Sequence, residues 1–226
     1  QLLQRGATVI LTARHIDNLA DLGARYPHAH ALICDICDAQ QLALTQQKII
    51  AQHQRIDLFI ANAGVYQEML AFAFDAKMAQ QMLDINVSGT IASVASVIPQ
   101  LLKQGSGGIA LVASVAGYGG LPGALIYGAS KAALINFSET LYLDLSAWNI
   151  NVTLINPGFV ATRLTAQNKF VMPALLTSEQ AAQKIIAGFA RGDFEIHFPK
   201  QFTLWLKLLK LLPYRLYFYL VKRVTR

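Results

Sequence analysis

Along this chain, apolar residues fall in short unbroken runs separated by longer stretches in which they recur every three or four positions. The runs, rich in β-branched residues, have the length of strands buried on both faces, and the spaced stretches have the helical period. Strands are thus predicted at "ATVILTA" (Ala7–Ala13), "HALICDI" (His30–Ile36), "IDLFIANAG" (Ile56–Gly64), "GGIALVAS" (Gly107–Ser114), "INVTLINPG" (Ile150–Gly158) and "FEIHF" (Phe194–Phe198). Helices are predicted over residues 16–24, ended near Gly23, then over 39–53, 75–103 with Pro99 bending or ending the last turns, 126–148 and 178–191. Strands that are apolar throughout and alternate with helices imply a parallel sheet covered on both faces. The fold class is α/β, a doubly wound parallel sheet.

With 226 residues, 54% of them hydrophobic, the chain can bury one sizeable core, and no linker or internal repeat divides it. The net charge of +6 is unevenly placed. All 13 acids and 12 of the 19 basic residues lie in residues 1–199, so the body is close to neutral. Residues 200–226 carry Lys200, Lys207, Lys210, Arg215, Lys222, Arg223 and Arg226 and no acid. The chain therefore divides into a body, 1–199, and a basic amphipathic C-terminal tail, 200–226, and a nucleic-acid footprint spread over the body is excluded.

The only cysteines, Cys34 and Cys37 in "CDIC", supply two of the four ligands zinc would want, even with His28 and His30 nearby. They read as two reduced thiols at a strand end, and no metal site is expected. Such cysteine usage fits a reducing compartment, and no signal peptide is visible, although the chain begins at Gln1 without a methionine. The expected location is cytoplasmic.

Tyr127 and Lys131 in "IYGASKAAL" sit four residues apart, one above the other on a helix face, with nothing acidic between them. An ammonium beside a phenol favours the phenolate, which makes the pair a candidate general acid/base. With 8 tyrosines and 10 lysines in the chain, chance supplies roughly 0.35 such spacings, so the pair alone is weak evidence. Its setting strengthens it. Ser114 closes the fourth strand, at the carboxyl edge where open α/β sheets place their sites, and a glycine-rich loop joins it to the helix bearing Tyr127. "ANAG" (Ala61–Gly64) and "NPG" (Asn156–Gly158) end the third and fifth strands at the same edge.

On these residues the chain resembles the short, single-domain branch of the short-chain dehydrogenase/reductase family over nearly all of residues 1–199. The resemblance rests on Asn62-Ala63-Gly64, on Asn86 in "INVSG", and on Ser114 thirteen residues before Tyr127. It rests equally on Tyr127-Gly-Ala-Ser-Lys131 and on Pro157-Gly158 followed by Thr162. It implies a Rossmann-like fold and a carbonyl–alcohol interconversion in which Tyr127 exchanges the proton. Lys131 would lower the Tyr127 pKa and bond the nicotinamide ribose, Ser114 would polarise the substrate oxygen, and Asn86 would hold a water linking Lys131 to solvent. Val160 and Thr162 would meet the nicotinamide carboxamide, with Pro157 and Gly158 ahead of them. Asp35 and Ile36 would flank the adenine, and Asn62, Ala63 and Gly64 would pass beside the adenosine ribose. A homo-oligomer is expected by resemblance alone.

The chain departs from the family pattern at its start. "QLLQRG" reads as the last turns of a helix, and the preceding strand and glycine-rich phosphate turn are missing from the sequence. That strand would lie mid-sheet, and its loss would strip neighbours of ladder bonds, so the sequence is expected to be N-terminally incomplete.

After the second strand of such a fold, an acid marks NAD(H) and an arginine accommodates the 2′-phosphate of NADP(H). The strand ends here in Ala13 and Arg14, which favours NADP(H) over NAD(H). The segment Thr162–Thr177 would form a lid, and Phe170, Val171, Met172, Leu175 and Leu176 make it apolar, as suits a lipophilic small-molecule substrate. In the tail, cations interrupt an aromatic- and leucine-rich stretch divided by Pro213, which suits an interfacial helix in peripheral contact with a membrane better than a span. The competing expectation is that Trp205, Leu208, Leu209 and Leu212 pack on the body or at a dimer contact. The alternative function, a non-catalytic membrane- or partner-docking module, has no use for an intact Ser114, Tyr127, Lys131 and Asn86. An epimerase or dehydratase of the extended branch would need a larger C-terminal substrate domain than the residues after Gly158 can build.

Overall fold

The computed structural model describes residues 1–16, 20–166 and 172–224. Six strands and eight α-helices are defined among them. In chain order these are β1 (Val9–Ala13), α1 (Ala20–Arg25), β2 (Ala29–Ile33), α2 (Ala39–His53), β3 (Leu58–Ala61), α3 (Ala76–Leu83) and α4 (Thr90–Gln104). There follow β4 (Gly107–Val112), α5 (Leu125–Leu145), β5 (Ile150–Pro157), α6 (Ser178–Arg191), β6 (Glu195–Phe198), α7 (Lys200–Lys210) and α8 (Tyr214–Val224). Every strand pairing is parallel.

The strands form two sheets, β1-β2 and β3-β4-β5-β6, and β1 does not pair with β3. A break in the ladder thus separates β1 from β3. It also limits how far the strands are buried. β4 and β5 are apolar and largely covered on both faces, with Ile109, Ala110, Leu111 and Ile155 fully buried. β3, beside the break, leaves Leu58 and Ile60 more than a third exposed, contrary to the even burial expected.

Helices cover both faces of the larger sheet, as a doubly wound fold requires. Val94, Val97 and Leu101 of α4 and Leu141 and Leu145 of α5 pack on Ile109, Leu111, Ile150 and Val152. On the other face Ala181 of α6 meets Ala110, Ile155, Ile196 and Phe198. α6 has the predicted bounds because its ends are chemically marked. Thr177 and Gln180 form a reciprocal capping box, and Gly192, at φ +71°, closes it in the left-handed region.

Several boundaries differ from expectation. β2 stops at Ile33 rather than Ile36, because the Asp35 N–H turns out of the ladder to the Gln41 side chain at 2.9 Å. α1 runs past Gly23 to Arg25. The long helix predicted over 75–103 is interrupted, not at Pro99, which α4 absorbs, but at Asp84–Gly89, where one π-helical turn intervenes. Such turns occur chiefly at functional sites.

Candidate active site

Parallel pairing brings the carboxyl ends of β3, β4 and β5 to one edge. Beyond β4, Ser114 has extended backbone, and its Oγ accepts the Ala116 N–H at 3.2 Å to start a short 3-10 turn, Val115–Gly117. A Cβ on Gly117 would stand 2.7 Å from the Lys131 carbonyl carbon and 2.8 Å from the Ala132 nitrogen. Glycine there lets the Ser114 turn press directly on α5.

α5 presents Tyr127 and Lys131 on its first turns, one above the other as predicted. The Lys131 Nζ lies 5.7 Å from the centre of the Tyr127 ring and donates to the Val112 carbonyl at 2.8 Å. Lys131 is buried, no carboxylate pairs with it among the described residues, and burial pushes its pKa down to about 8. Burial likewise pushes the Tyr127 phenol above its ordinary value; a hydrogen bond from Ser114 pulls it back, and Tyr66 adds to the rise. Tyr66 stacks edge-on against Tyr127, with ring centres 5.0 Å apart. In the protein alone, burial is the largest influence on the phenol.

The π-helical turn supplies Asn86, which is fully buried. Its Oδ1 accepts the Val65 N–H at 2.8 Å, and its Nδ2 donates to the Val65 carbonyl at 2.9 Å and to Ser130 Oγ at 3.2 Å. Ser130 Oγ in turn donates to the Tyr127 carbonyl at 2.7 Å. A Cβ on Gly64 would lie 3.3 Å from Asn86 Oδ1 and 3.6 Å from Lys131 Nζ. Gly64 thus passes close over both, while Asn62 and Ala63, just past β3, are exposed. The structure brings Asn86, Ser114, Tyr127 and Lys131 together with Gly64.

The remaining predicted residues make contacts of their own. Ile36 packs on Gly89 of the π-helical turn, and the Cys37 Sγ donates to the Asp84 carbonyl at 3.6 Å, tying the β2 end to the same segment. Asp35 accepts the Cys37 N–H at 2.9 Å. Arg14, exposed past β1, is close enough for its charge to act on Cys37, whose thiol is nonetheless raised by burial and by Asp35 and Asp84. A raised thiol is a poor nucleophile, and Cys34 is buried. Pro157 ends β5, and Gly158 donates to the Phe198 carbonyl at 2.7 Å. Val160 pairs with Leu176, and the Thr162 N–H donates to Thr165 Oγ at 3.0 Å. No hydrogen bond joins Val160 or Thr162 to the Ser114–Tyr127–Lys131 group among the described residues. Of the expected lid residues, Phe170 and Val171 lie outside the described residues.

Sequence reasoning missed Tyr66, the Val112 carbonyl and a second polar cluster beneath the Ser114–Tyr127 loop. There Glu195 of β6 accepts from Tyr118 at 2.5 Å and from Asn156 at 2.8 Å, and pairs with Lys207 of α7. Burial works against the Glu195 charge, but Lys207, Tyr118 and Asn156 outweigh it and hold the carboxyl below its usual range. No local spacing announces these partners, which lie 39 and 77 residues from Glu195 along the chain.

A buried lysine with one carbonyl partner, two hydroxyls within reach of each other and small residues at three strand ends can hold a polyhydroxylated ligand and move a proton at one atom. Comparisons with known proteins identify the family. The family model described as short chain dehydrogenase matches residues 1–170. An uncharacterized oxidoreductase of Myxococcus xanthus is 34% identical over 216 residues, covering 94% of this chain and 85% of that one. The 3-oxoacyl-(acyl-carrier-protein) reductase of Thermotoga maritima is 30% identical over 166 residues, 72% of this chain and 68% of that one. A short-chain dehydrogenase from Sphingobium yanoikuyae, solved in complex with NADPH, superposes with a TM-score of 0.79 at 26% identity, covering 88% of this chain and 80% of that one. The chain belongs to the short-chain dehydrogenase/reductase family, oxidoreductases that act on small molecules with a nicotinamide cofactor.

Proposed function

We propose that the chain interconverts a carbonyl and an alcohol on a lipophilic small molecule with NADP(H), Tyr127 serving as the acid/base. The observation that carries this reading is the convergence of Ser114, Tyr127 and Lys131, with the ammonium buried and free of any carboxylate partner among the described residues.

The residues present fit a nicotinamide cofactor. An ammonium has three donors, and Lys131 spends one on Val112, so two are available for ribose hydroxyls. Gly64 keeps open a space beside Lys131 that a side chain would fill. When bound, the nicotinamide supplies or takes up the hydride at the substrate carbon.

In the reducing direction Tyr127 Oη gives its proton to the carbonyl oxygen, and Ser114 Oγ donates a hydrogen bond to the same oxygen. A phenol kept protonated by burial is a competent acid at neutral pH. Lys131 offsets the negative charge left on the phenol. Asn86 fixes the Val65 segment and Ser130, and its Oδ1 can accept from a water that returns protons to Lys131. Arg14 would meet the 2′-phosphate, with Asp35 and Ile36 at the adenine, Asn62 to Gly64 along the adenosine ribose, and Pro157, Gly158, Val160 and Thr162 toward the carboxamide. The reductase names of the Thermotoga relative and of carbonyl reductase family member 4 of Xenopus tropicalis, 30% identical over 165 residues, support the carbonyl substrate. Exposed Leu175 suits an apolar one.

The test is Tyr127→Phe, which keeps the ring packed against Tyr66 but removes the exchangeable proton. Turnover of a medium-chain ketone with NADPH should fall by about 10²-fold or more, with an unchanged melting temperature. Near-normal turnover would refute the assignment.

A further inference from the structure

α7 leaves a leucine and tryptophan stripe in solvent. Against the body it sets Thr203, fully buried, Lys207, paired with Glu195, and Phe202, which packs on Phe159, while Leu206 and Leu209 are half-buried. The side it turns to solvent carries Leu204, Trp205, Leu208 and Leu211, at the i, i+1, i+4 and i+7 positions of a single stripe. Trp205 is 65% exposed and Leu211 80%; of the four residues expected to pack on the body or at a dimer contact, Trp205 and Leu208 are exposed, while Leu209 and Leu212 are half-buried. Gln201, Leu204, Trp205 and Leu208 line a shallow groove. Past Pro213 the apolar surface runs on into α8, where exposed Tyr214 and Phe218 stack with ring centres 5.7 Å apart. Only Tyr217 and Val221 of α8 are buried.

Cations border this surface. Lys200, Lys210, Arg215, Lys222 and Arg223 are all exposed; Lys210 lies over the Tyr214 ring and Arg223 donates to the Tyr219 hydroxyl. Residues 200–226 contain no acid to neutralise them. The two helices are nevertheless fixed to the body. Lys207 reaches Glu195, and the Tyr217 hydroxyl donates to the Gly120 carbonyl at 2.8 Å, in the loop between Ser114 and Tyr127.

We propose that the α7–α8 pair is a docking surface for an anionic phospholipid bilayer, with Leu204, Trp205, Leu208 and Leu211 among the acyl chains and the five cations at the head groups. Charge selects this occupant. A second copy of the chain, placed on the same face by a two-fold axis, would bring five more cations against these. An anionic surface complements them, and a helix with leucine and tryptophan on one side and lysine and arginine at its borders is suited to lie in the interface. The anchoring to β6 and to the Ser114–Tyr127 loop would hold the body at the surface rather than on a flexible tether.

Co-sedimentation of the full chain with phosphatidylcholine vesicles, with and without 30% phosphatidylglycerol, tests this. (The lipid fraction is set at roughly 30% to give strong anionic charge.) The expected result is at least about tenfold stronger partitioning onto the anionic vesicles, falling by about tenfold in high salt. Trp205→Asp/Leu208→Asp should abolish binding, and Lys210→Glu/Arg215→Glu/Lys222→Glu should remove the anionic preference, both with an unchanged circular-dichroism melt. The charge variant keeps the test meaningful if the apolar one misfolds. No pelleting by the wild-type chain, or equal pelleting by the charge variant, overturns the proposal. So does a concentration-dependent self-association in sedimentation velocity that the variants abolish while vesicle binding is nil, because the face would then belong to a second copy.

Discussion

Asn86 and Val65 are joined by two hydrogen bonds of opposite sense, the side-chain amide standing in for a strand partner. The Val65 N–H donates to Oδ1 at 2.8 Å and the Val65 carbonyl accepts from Nδ2 at 2.9 Å. This pairing clips the chain leaving β3 onto the π-helical turn, at the point where Gly64 passes Lys131. Asn86→Ala strands both backbone groups of Val65 in a half-buried position, and should cost about 2–3 kcal/mol. Asn86→Asp retains the acceptor but loses the donor and buries a charge, so it should cost at least as much. Urea unfolding of the two variants checks both. A loss below about 0.5 kcal/mol in each would mean that water replaces the amide fully.

Lys131 gives the fold a distinctive pH dependence. In the unfolded chain a lysine titrates near 10.4. In the fold, burial brings Lys131 down to about 8. Between those values the unfolded chain holds a proton the folded protein has released, so stability rises with pH over that window. Above pH ~10 the sign reverses at Tyr127, whose raised pKa keeps its proton in the fold while the unfolded phenol loses it. Lys131→Met removes the first effect alone. The difference in unfolding free energy, wild type minus variant, should climb by about 2 kcal/mol between pH ~8 and ~9.5 in urea titrations. A flat difference would show that Lys131 keeps its charge through the window.

How far the site could be read from sequence depended on whether its partners were local. Tyr127 and Lys131 share one helix, so their spacing fixes their proximity, and Ser114 closes a strand in the same sheet as the one before Asn156. Those placements needed only helical and strand periods. The Val112 carbonyl that accepts the Lys131 hydrogen bond lies 19 residues away, and Asn86 meets Val65 across 21, which no periodicity announces. The π-helical turn was hidden for another reason. Asp84–Gly89 keeps a helix-like apolar pattern, and only the extra residue in the turn, with Gly89 pressed on Ile36, separates α3 from α4. The tail shows the limit of amphipathic reasoning most clearly. A leucine and tryptophan stripe is visible in the sequence of α7, but the Lys207–Glu195 pair decides that the stripe faces out.

Two glycines of the Ser114–Tyr127 loop should differ in their response to the same substitution. A Cβ on Gly117 meets backbone atoms of Lys131 and Ala132 below 3 Å, and backbone cannot move aside without shifting α5 or the Ser114 turn. Gly117→Ala should therefore destabilise by about 1–3 kcal/mol and lower turnover by displacing Ser114 from Tyr127. A Cβ on Gly120 meets nothing within 4 Å, and Gly120→Ala should leave both within error. Thermal melts and steady-state rates on the pair decide it. Equal effects would show that loop entropy, rather than contact with α5, sets the behaviour of this segment.

Arg14 bears on which nicotinamide cofactor the chain prefers. It follows β1 directly, exposed and close enough for its charge to act on Cys37, and β1 ends in Ala13 with no acid among the described residues that follow it to Ile16. A carboxylate at that point would repel a 2′-phosphate; a guanidinium offers paired donors to it. NADPH should accordingly bind more tightly than NADH in a fluorescence titration of the full chain. Loss of one charge-assisted contact corresponds to about tenfold in affinity, so Arg14→Ala should weaken NADPH by about that factor. NADH, which has no phosphate there, should change little, and the gap between the two should close. Tighter NADH binding by the wild-type chain would overturn the preference. Parallel weakening of both cofactors would instead assign Arg14 to holding the adenine end in place, with no part in telling the two apart.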